Sequence, residues 1–348
     1  MVSIFVNWLL VALTLVSVSP SEFGAARRAT IKRIPSQVAT GDIQAFFTSN
    51  QAGLDAPRLS AVNASSFNWW YFDVFSPDLD KSLVVVFFTT LGSAFPFVPT
   101  SEVVTQVEIY ATFPNGTFAG KYLDATEAVI TTTDGNGASG DFVGSGAKFQ
   151  GAPDLSPYSI SVDSPANGIV GTFHLKARAP PHYPQGTVDF TIFGSRLKFS
   201  GAAYHDQNWG DAPFPTTVAS WYWGHARLGP YALVWFSYLP RAGPERVSSY
   251  IAHDDGTVLA AGCTADAVRV RPTGQYPPTQ RSGYPSGFRV DFRLADGRTV
   301  KVTVRAESLI ADAGAVYGRW MGGVEGRLDG GRLITRGKAL FEQYVMVA

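Results

Sequence analysis

The chain is poor in the groups that most enzymes recruit for chemistry. Its 348 residues include 1 Cys and 5 His. A single cysteine, Cys263, rules out an intrachain disulfide framework, and its setting in Ala-Ala-Gly-Cys-Thr suits a small residue near a strand end. Without a His-x-His or a cysteine pair a tetrahedral zinc site lacks ligands, so no metal is expected. Charged residues are 16% of the chain, and 28 Lys+Arg balance 28 Asp+Glu. Such a neutral chain, with no basic block, has no electrostatic footprint for nucleic acid. There is no Gly-x-Ser-x-Gly elbow for acyl transfer. There is also no P-loop, and no Gly-x-Gly-x-x-Gly between strand and helix, so no nucleotide cofactor is expected. Long stretches of helical period are missing as well.

What the chain has is 35 Gly, 22 Pro, 13% aromatics and 45% hydrophobic residues. These fall in short β-rich runs such as 82–91, 104–113, 186–199 and 287–294. Turn signals separate them: Pro114-Asn115-Gly116, Asp134-Gly135-Asn136-Gly137, Gly229-Pro230 and Asp296-Gly297. About fifteen short strands with regular turns predict an all-β sandwich or barrel protein. Barrels remove exposed edges, and a small barrel can leave an apolar cup for one ligand. At this length two domains are the default, and two consecutive lipocalin-like β-barrels, 27–213 and 214–348, use it fully. Residues 29–60 read as an extended arm, and Pro213-Phe214-Pro215-Thr216-Thr217 as the linker.

Residues 4–18 are apolar apart from Asn7, Thr14 and Ser17, and small residues follow up to Ala25-Ala26. Residues 1–26 therefore read as a signal peptide, with an uncleaved membrane anchor as the weaker reading because the run is short for a span. The sequons at Asn63 and Asn115 agree with secretory routing and glycosylation at both.

Three segments could carry chemistry. In Asn68-Trp69-Trp70-Tyr71-Phe72-Asp73, strand alternation puts Trp69, Tyr71 and Asp73 on one face and Asn68, Trp70 and Phe72 on the other. The first face is either a cavity wall with one acid or a polar rim above a core. In Ala203-Tyr204-His205-Asp206-Gln207-Asn208-Trp209-Gly210, the same rule parts His205, Gln207 and Trp209 from Asp206 and Asn208. His205 can move a proton near neutrality or serve as a structural histidine at a strand end. The hairpin around Gly229 sets Trp221, Trp223 and His225 on one face and brings Trp235 on the next strand, as core or as pocket wall. The closing Leu340-Phe341-Glu342-Gln343-Tyr344 places another carboxyl among aromatics, either in a site or on an ordinary terminal strand.

Taken together, Trp69-Trp70-Tyr71-Phe72-Asp73, His205-Asp206-Gln207-Asn208-Trp209-Gly210 and Phe341-Glu342-Gln343 resemble the carotenoid 1,2-hydratase (hydroxyneurosporene synthase) and AttH-like family. The resemblance spans nearly the whole chain after the leader. It implies two lipocalin-like barrels, and its fungal branches include decalin-forming Diels–Alderases and intermolecular hetero-Diels–Alderases. A hydratase would protonate an alkene with a sheltered acid such as Asp73, Asp206 or His205. A Diels–Alderase would hold diene and dienophile together, which is worth about 7–11 kcal/mol in well-oriented cases, and polarise them through hydrogen bonds. A secreted carrier of a lipophilic metabolite would need only the pocket. Many aromatics and few charges favour the cycloaddition. The expected catalytic residues are Asp73, His205, Tyr71 and Asp206. Trp69, Asn208, Trp223, Trp235, Phe341 and Tyr344 are expected to bind an apolar small molecule, with no cofactor.

Overall fold

A computed structural model of the chain describes residues 29–47, 53–99, 102–132, 135–177, 185–328 and 331–348. The expected leader and the Asp134 turn position lie outside them. Almost every described element is a strand, and all pairing is antiparallel. The first sheet has 12 strands. Thr30–Pro35 forms one edge beside Glu127–Thr132, so part of the stretch read as an irregular arm is a strand of the sheet. From there the sheet runs as a meander to Ser195–Gly210, whose second half pairs with Phe67–Phe75, and it ends on Phe118–Asp124. Only Ala125 and Thr126 separate Phe118–Asp124 from Glu127–Thr132, so the chain itself draws the two ends of the sheet together. The sheet therefore curls into a barrel-like shell.

Alternation decides what fills it. From Phe67–Phe75, Trp70, Phe72 and Val74 point inward and pack with Phe87, Phe142, Phe149, Tyr158 and Phe173, all nearly inaccessible. Burying an aromatic side chain of this kind is worth about 1.5–3 kcal/mol. This interior is filled by aromatic rings. The second sheet of 10 strands spans Val218–Leu228 to Ile334–Val345 and encloses Tyr222, Trp235, Phe288, Phe292 and Phe341. Gly224 is required there. A Cβ on it would sit 2.3 Å from Trp235 Cζ2 and 2.6 Å from Phe341 Cβ, so only glycine lets the two rings pass.

Between Gly210 and Val218 the chain makes one short helix, Phe214–Thr217, where the sequence read as a plain linker. A third cluster lies between the barrels. It joins Trp69, Tyr71 and Phe88 on the outside of the first to Trp221, Trp223, Tyr317 and Tyr344 on the outside of the second. Phe95 and Phe214 from the connections close it.

Candidate active site between the barrels

A cavity of about 210 Å³ opens within that third cluster. Its walls are residues that alternation turns away from the two barrel cores. Trp69 and Tyr71 come from Phe67–Phe75, Glu108 and Tyr110 from Thr105–Thr112, and Asp206 and Asn208 from Ser195–Gly210. The second barrel adds Trp221 and Trp223, Tyr317 and Arg319 from Tyr317–Leu328, and Glu342 and Tyr344 from Ile334–Val345. The result is an aromatic chamber with four carboxyls, Glu108, Asp206, Asp312 and Glu342, and one guanidinium.

The carboxyls differ in their partners. Glu342 is held as half of a buried pair: Arg319 donates to its Oε2 from Nε at 3.2 Å and from Nη2 at 3.0 Å, and the Tyr317 hydroxyl donates at 2.9 Å. Burial raises the Glu342 pKa, and Arg319 opposes that rise. The Arg319 guanidinium also lies over the Tyr71 ring, 5.2 Å from its centroid. Asp206 accepts from Asn208 Nδ2 at 2.8 Å and from the Tyr204 hydroxyl at 3.1 Å. It keeps some accessible surface because it faces the cavity, yet burial of its carboxyl pushes the pKa up to about 7, against His205 and these two donors. Burial raises Glu108 as well, again against Arg319. Tyr71 donates to Asp73 Oδ2 at 2.8 Å and stays protonated, its pKa carried well up by burial. The chamber thus pairs an acid that titrates near neutrality with a carboxylate clamped by arginine.

Of the residues expected from the sequence, Trp69, Tyr71, Asp206, Asn208, Trp223 and Tyr344 line this chamber. Asp73 stands behind Tyr71, fully buried. His205 faces the other way. Its ring stacks on Phe72 inside the first barrel at 4.2 Å and 6°. Its Nδ1 lies 2.9 Å from the Tyr71 carbonyl, and its Nε2 lies 3.2 Å from both Asp55 oxygens. Successive side chains on a strand take opposite faces, so Asp206 in the chamber puts His205 in the core. Trp235 and Phe341 are corrected in the same way: both belong to the second barrel's interior. Asn115 lies exposed in its turn, and Asn63 donates from Nδ2 to the Gly41 carbonyl at 3.1 Å.

Glu108, Tyr317 and Arg319 do not stand out in the sequence. Glu108 has a signal, because it shares a strand face with Tyr110, opposite Val107, Ile109 and Ala111. Tyr317 and Arg319 open the strand Tyr317–Leu328, in a stretch whose Gly318 interrupts any apolar alternation.

A family model described as Diels-Alderase-like matches residues 27–189. The quinolone epoxide rearrangement protein asqO of Emericella nidulans is 34% identical over 324 residues, covering 84% of this chain and 88% of the relative. The Diels-Alderase ucsH of Acremonium sp is 23% identical over 247 residues, 60% of this chain and 59% of the relative. The crystal structure of CghA with Sch210972 aligns with a TM-score of 0.73 at 18% identity, over 90% of this chain and 98% of that one, and shares the fold. One match runs through the first barrel and the 34% relative runs through most of the chain, so the chain belongs to the Diels-Alderase-like family.

Proposed function

We propose that this protein is a cofactor-independent cyclase of fungal secondary metabolism. It performs a [4+2] cycloaddition of the hetero-Diels–Alder type on an apolar polyene or terpenoid–polyketide substrate held between the barrels. One observation carries the reading: an aromatic chamber in which Asp206, titrating near 7, shares the space with the Arg319–Glu342 pair. The rings of Trp69, Trp223 and Tyr344 confine diene and dienophile. Protonated Asp206 donates a hydrogen bond to a carbonyl or quinone methide oxygen and so polarises the dienophile. Trp221 adds a further ring to the same wall. Names among the relatives agree with a cyclase.

The test is incubation of the purified chain with a polyene and an ortho-quinone methide precursor in oxygen-18 water. A product whose mass is the sum of the reactants, without label, supports cycloaddition. A product carrying solvent oxygen makes the protein a hydratase, and tight binding with no turnover makes it a carrier.

A second reading is favoured by the name of the 34%-identical relative: acid-assisted rearrangement of an epoxide. Here Asp206 would give its proton to the epoxide oxygen as the C–O bond breaks, an internal nucleophile on the substrate would close the new ring, and the proton that nucleophile loses would return to the Asp206 carboxylate. Supplying a quinolone epoxide and recovering an isomer of unchanged mass would move the assignment to this reaction. We also infer secretory routing from residues 4–18 and the two sequons. A protein absent from the medium of an expressing fungal culture would overturn it.

A further inference from the structure

Behind the chamber wall runs a buried polar line that reaches the chamber at Tyr71. Tyr71, on the wall, donates to Asp73 Oδ2 at 2.8 Å. The other oxygen of Asp73, Oδ1, lies 2.8 Å from His225 Nε2. Asp73 is completely buried and His225 is 4% exposed. Tyr71 and Asp73 belong to Phe67–Phe75 of the first barrel, and His225 to Val218–Leu228 of the second. The contact therefore crosses between the barrels.

The distance is that of a charge-assisted hydrogen bond, but the direction is not. Oδ1 and Nε2 are each buried without an aligned partner among the described residues. Leaving such atoms unmatched is costly, so a side-chain contact kept in this state needs a reason. The surroundings offer no substitute. The His225 ring is flanked by Tyr204, stacked at 5.2 Å and 25°, by Phe75 at 5.3 Å and by Trp223 at 5.6 Å. Among the described residues, the polar side chains in contact with the Asp73 carboxyl are those of Tyr71 and His225. Tyr204 in turn donates to Asp206, so one wall of aromatics carries both the Tyr71–Asp73 and the Tyr204–Asp206 hydrogen bonds.

We propose that His225 is a positioning residue for the chamber: across the interface it fixes the Asp73 carboxyl, and Asp73 fixes the Tyr71 hydroxyl on the wall. The inference rests on the chamber being the reaction site, since Tyr71 lines it. It makes the seating of one barrel on the other a determinant of the chamber's polarity. His225 touches no substrate in this scheme.

Proton NMR of the full chain separates this inference from the reaction assignment. The Tyr71 hydroxyl proton, identified by its loss in Tyr71→Phe, should be shifted downfield and slow to exchange. His225→Phe, which keeps the ring volume but cannot donate, should move or abolish that signal. His225→Gln, which can donate to Asp73, should restore most of it. With the polyene and quinone methide probes, His225→Phe should lower kcat by about a hundredfold, as a misplaced group does, while KM stays within about twofold. Adding Tyr71→Phe should then cost little more, because the two residues act as one unit. An unchanged hydroxyl signal in His225→Phe, no such signal in the wild type, or strictly additive losses would overturn the proposal. A changed signal with unchanged turnover would support the positioning and count instead against the chamber as the reaction site.

Discussion

Asp206 and His205 are adjacent in the chain and face opposite sides of one sheet. Their substitutions should therefore fail in different ways. Asp206→Asn replaces the carboxylic O–H donor of the chamber with a weaker amide donor and should lower turnover by up to about 10²–10³, the range for loss of one polarising donor. Because the acid form is the active one, wild-type rate should fall about tenfold per pH unit above about 7. Stability follows from the same shift. The folded pKa stands above the ordinary value of 3.8, so the native state binds the proton more tightly. That contribution is complete below pH 4 and is lost as pH rises towards 7; in urea titrations Asp206→Asn should flatten the decline. His205→Ala should leave kcat within about twofold and instead cost about 3–5 kcal/mol, since Asp55 keeps a buried charge without its partner. Burial opposes charge on His205, but Asp55 holds its pKa above 6.5. Its stabilising effect is thus full below 6.5 and lost as pH rises through the folded value. Equal losses of kcat in both variants would return His205 to the chemistry.

At the scale of elements, the period of two carries most of the information. Alternation alone parts Trp69 and Tyr71 from Trp70 and Phe72, and Asp206 from His205. It does not say which face meets a core and which meets a cavity, so Trp235 and Phe341 read as pocket walls in the sequence and are core in the fold. Gly224 belongs to this scale too. Gly224→Ala overpacks the crossing of Trp235 and Phe341 and should destabilise the second barrel by about 1–3 kcal/mol, read as a lower melting midpoint. A midpoint within error of the wild type would mean that the rings can move aside. Strand ends are harder to read than strand faces. Tyr317-Gly318-Arg319 gives no strong β signal, and its place at the chamber is set by pairing with Gln343 and its neighbours on the last strand.

For the whole molecule, the decisive surface is the one between the barrels. The second barrel taken alone, residues 214–348, would expose Trp223, Tyr317 and Tyr344, which now pack on Tyr71, Phe95 and Phe97 of the first. Patches of this size on a monomer invite association. That fragment should bind a hydrophobic dye or self-associate, whereas the intact chain should do neither; a monomeric, dye-silent fragment would mean that the interface contributes little to folding. Arg319→Met tests the same surface from inside. It strands the Glu342 carboxyl and should cost about 3–5 kcal/mol, and Arg319→Met with Glu342→Gln together should recover part of it.

The all-β class, the faces of the key strands and the family resemblance are legible in the sequence, because they depend on local period, turn chemistry and motif order. That the first barrel's interior is packed with aromatic rings, and that the chamber lies between the barrels, emerges only in three dimensions. So does the meeting of Glu108, Arg319 and Glu342 with Asp206. The cause is distance along the chain. Each barrel is shaped mainly by hairpins between neighbouring strands, whereas the chamber is made by two outward faces whose residues lie far apart in sequence, and no local pattern records how two closed surfaces will dock.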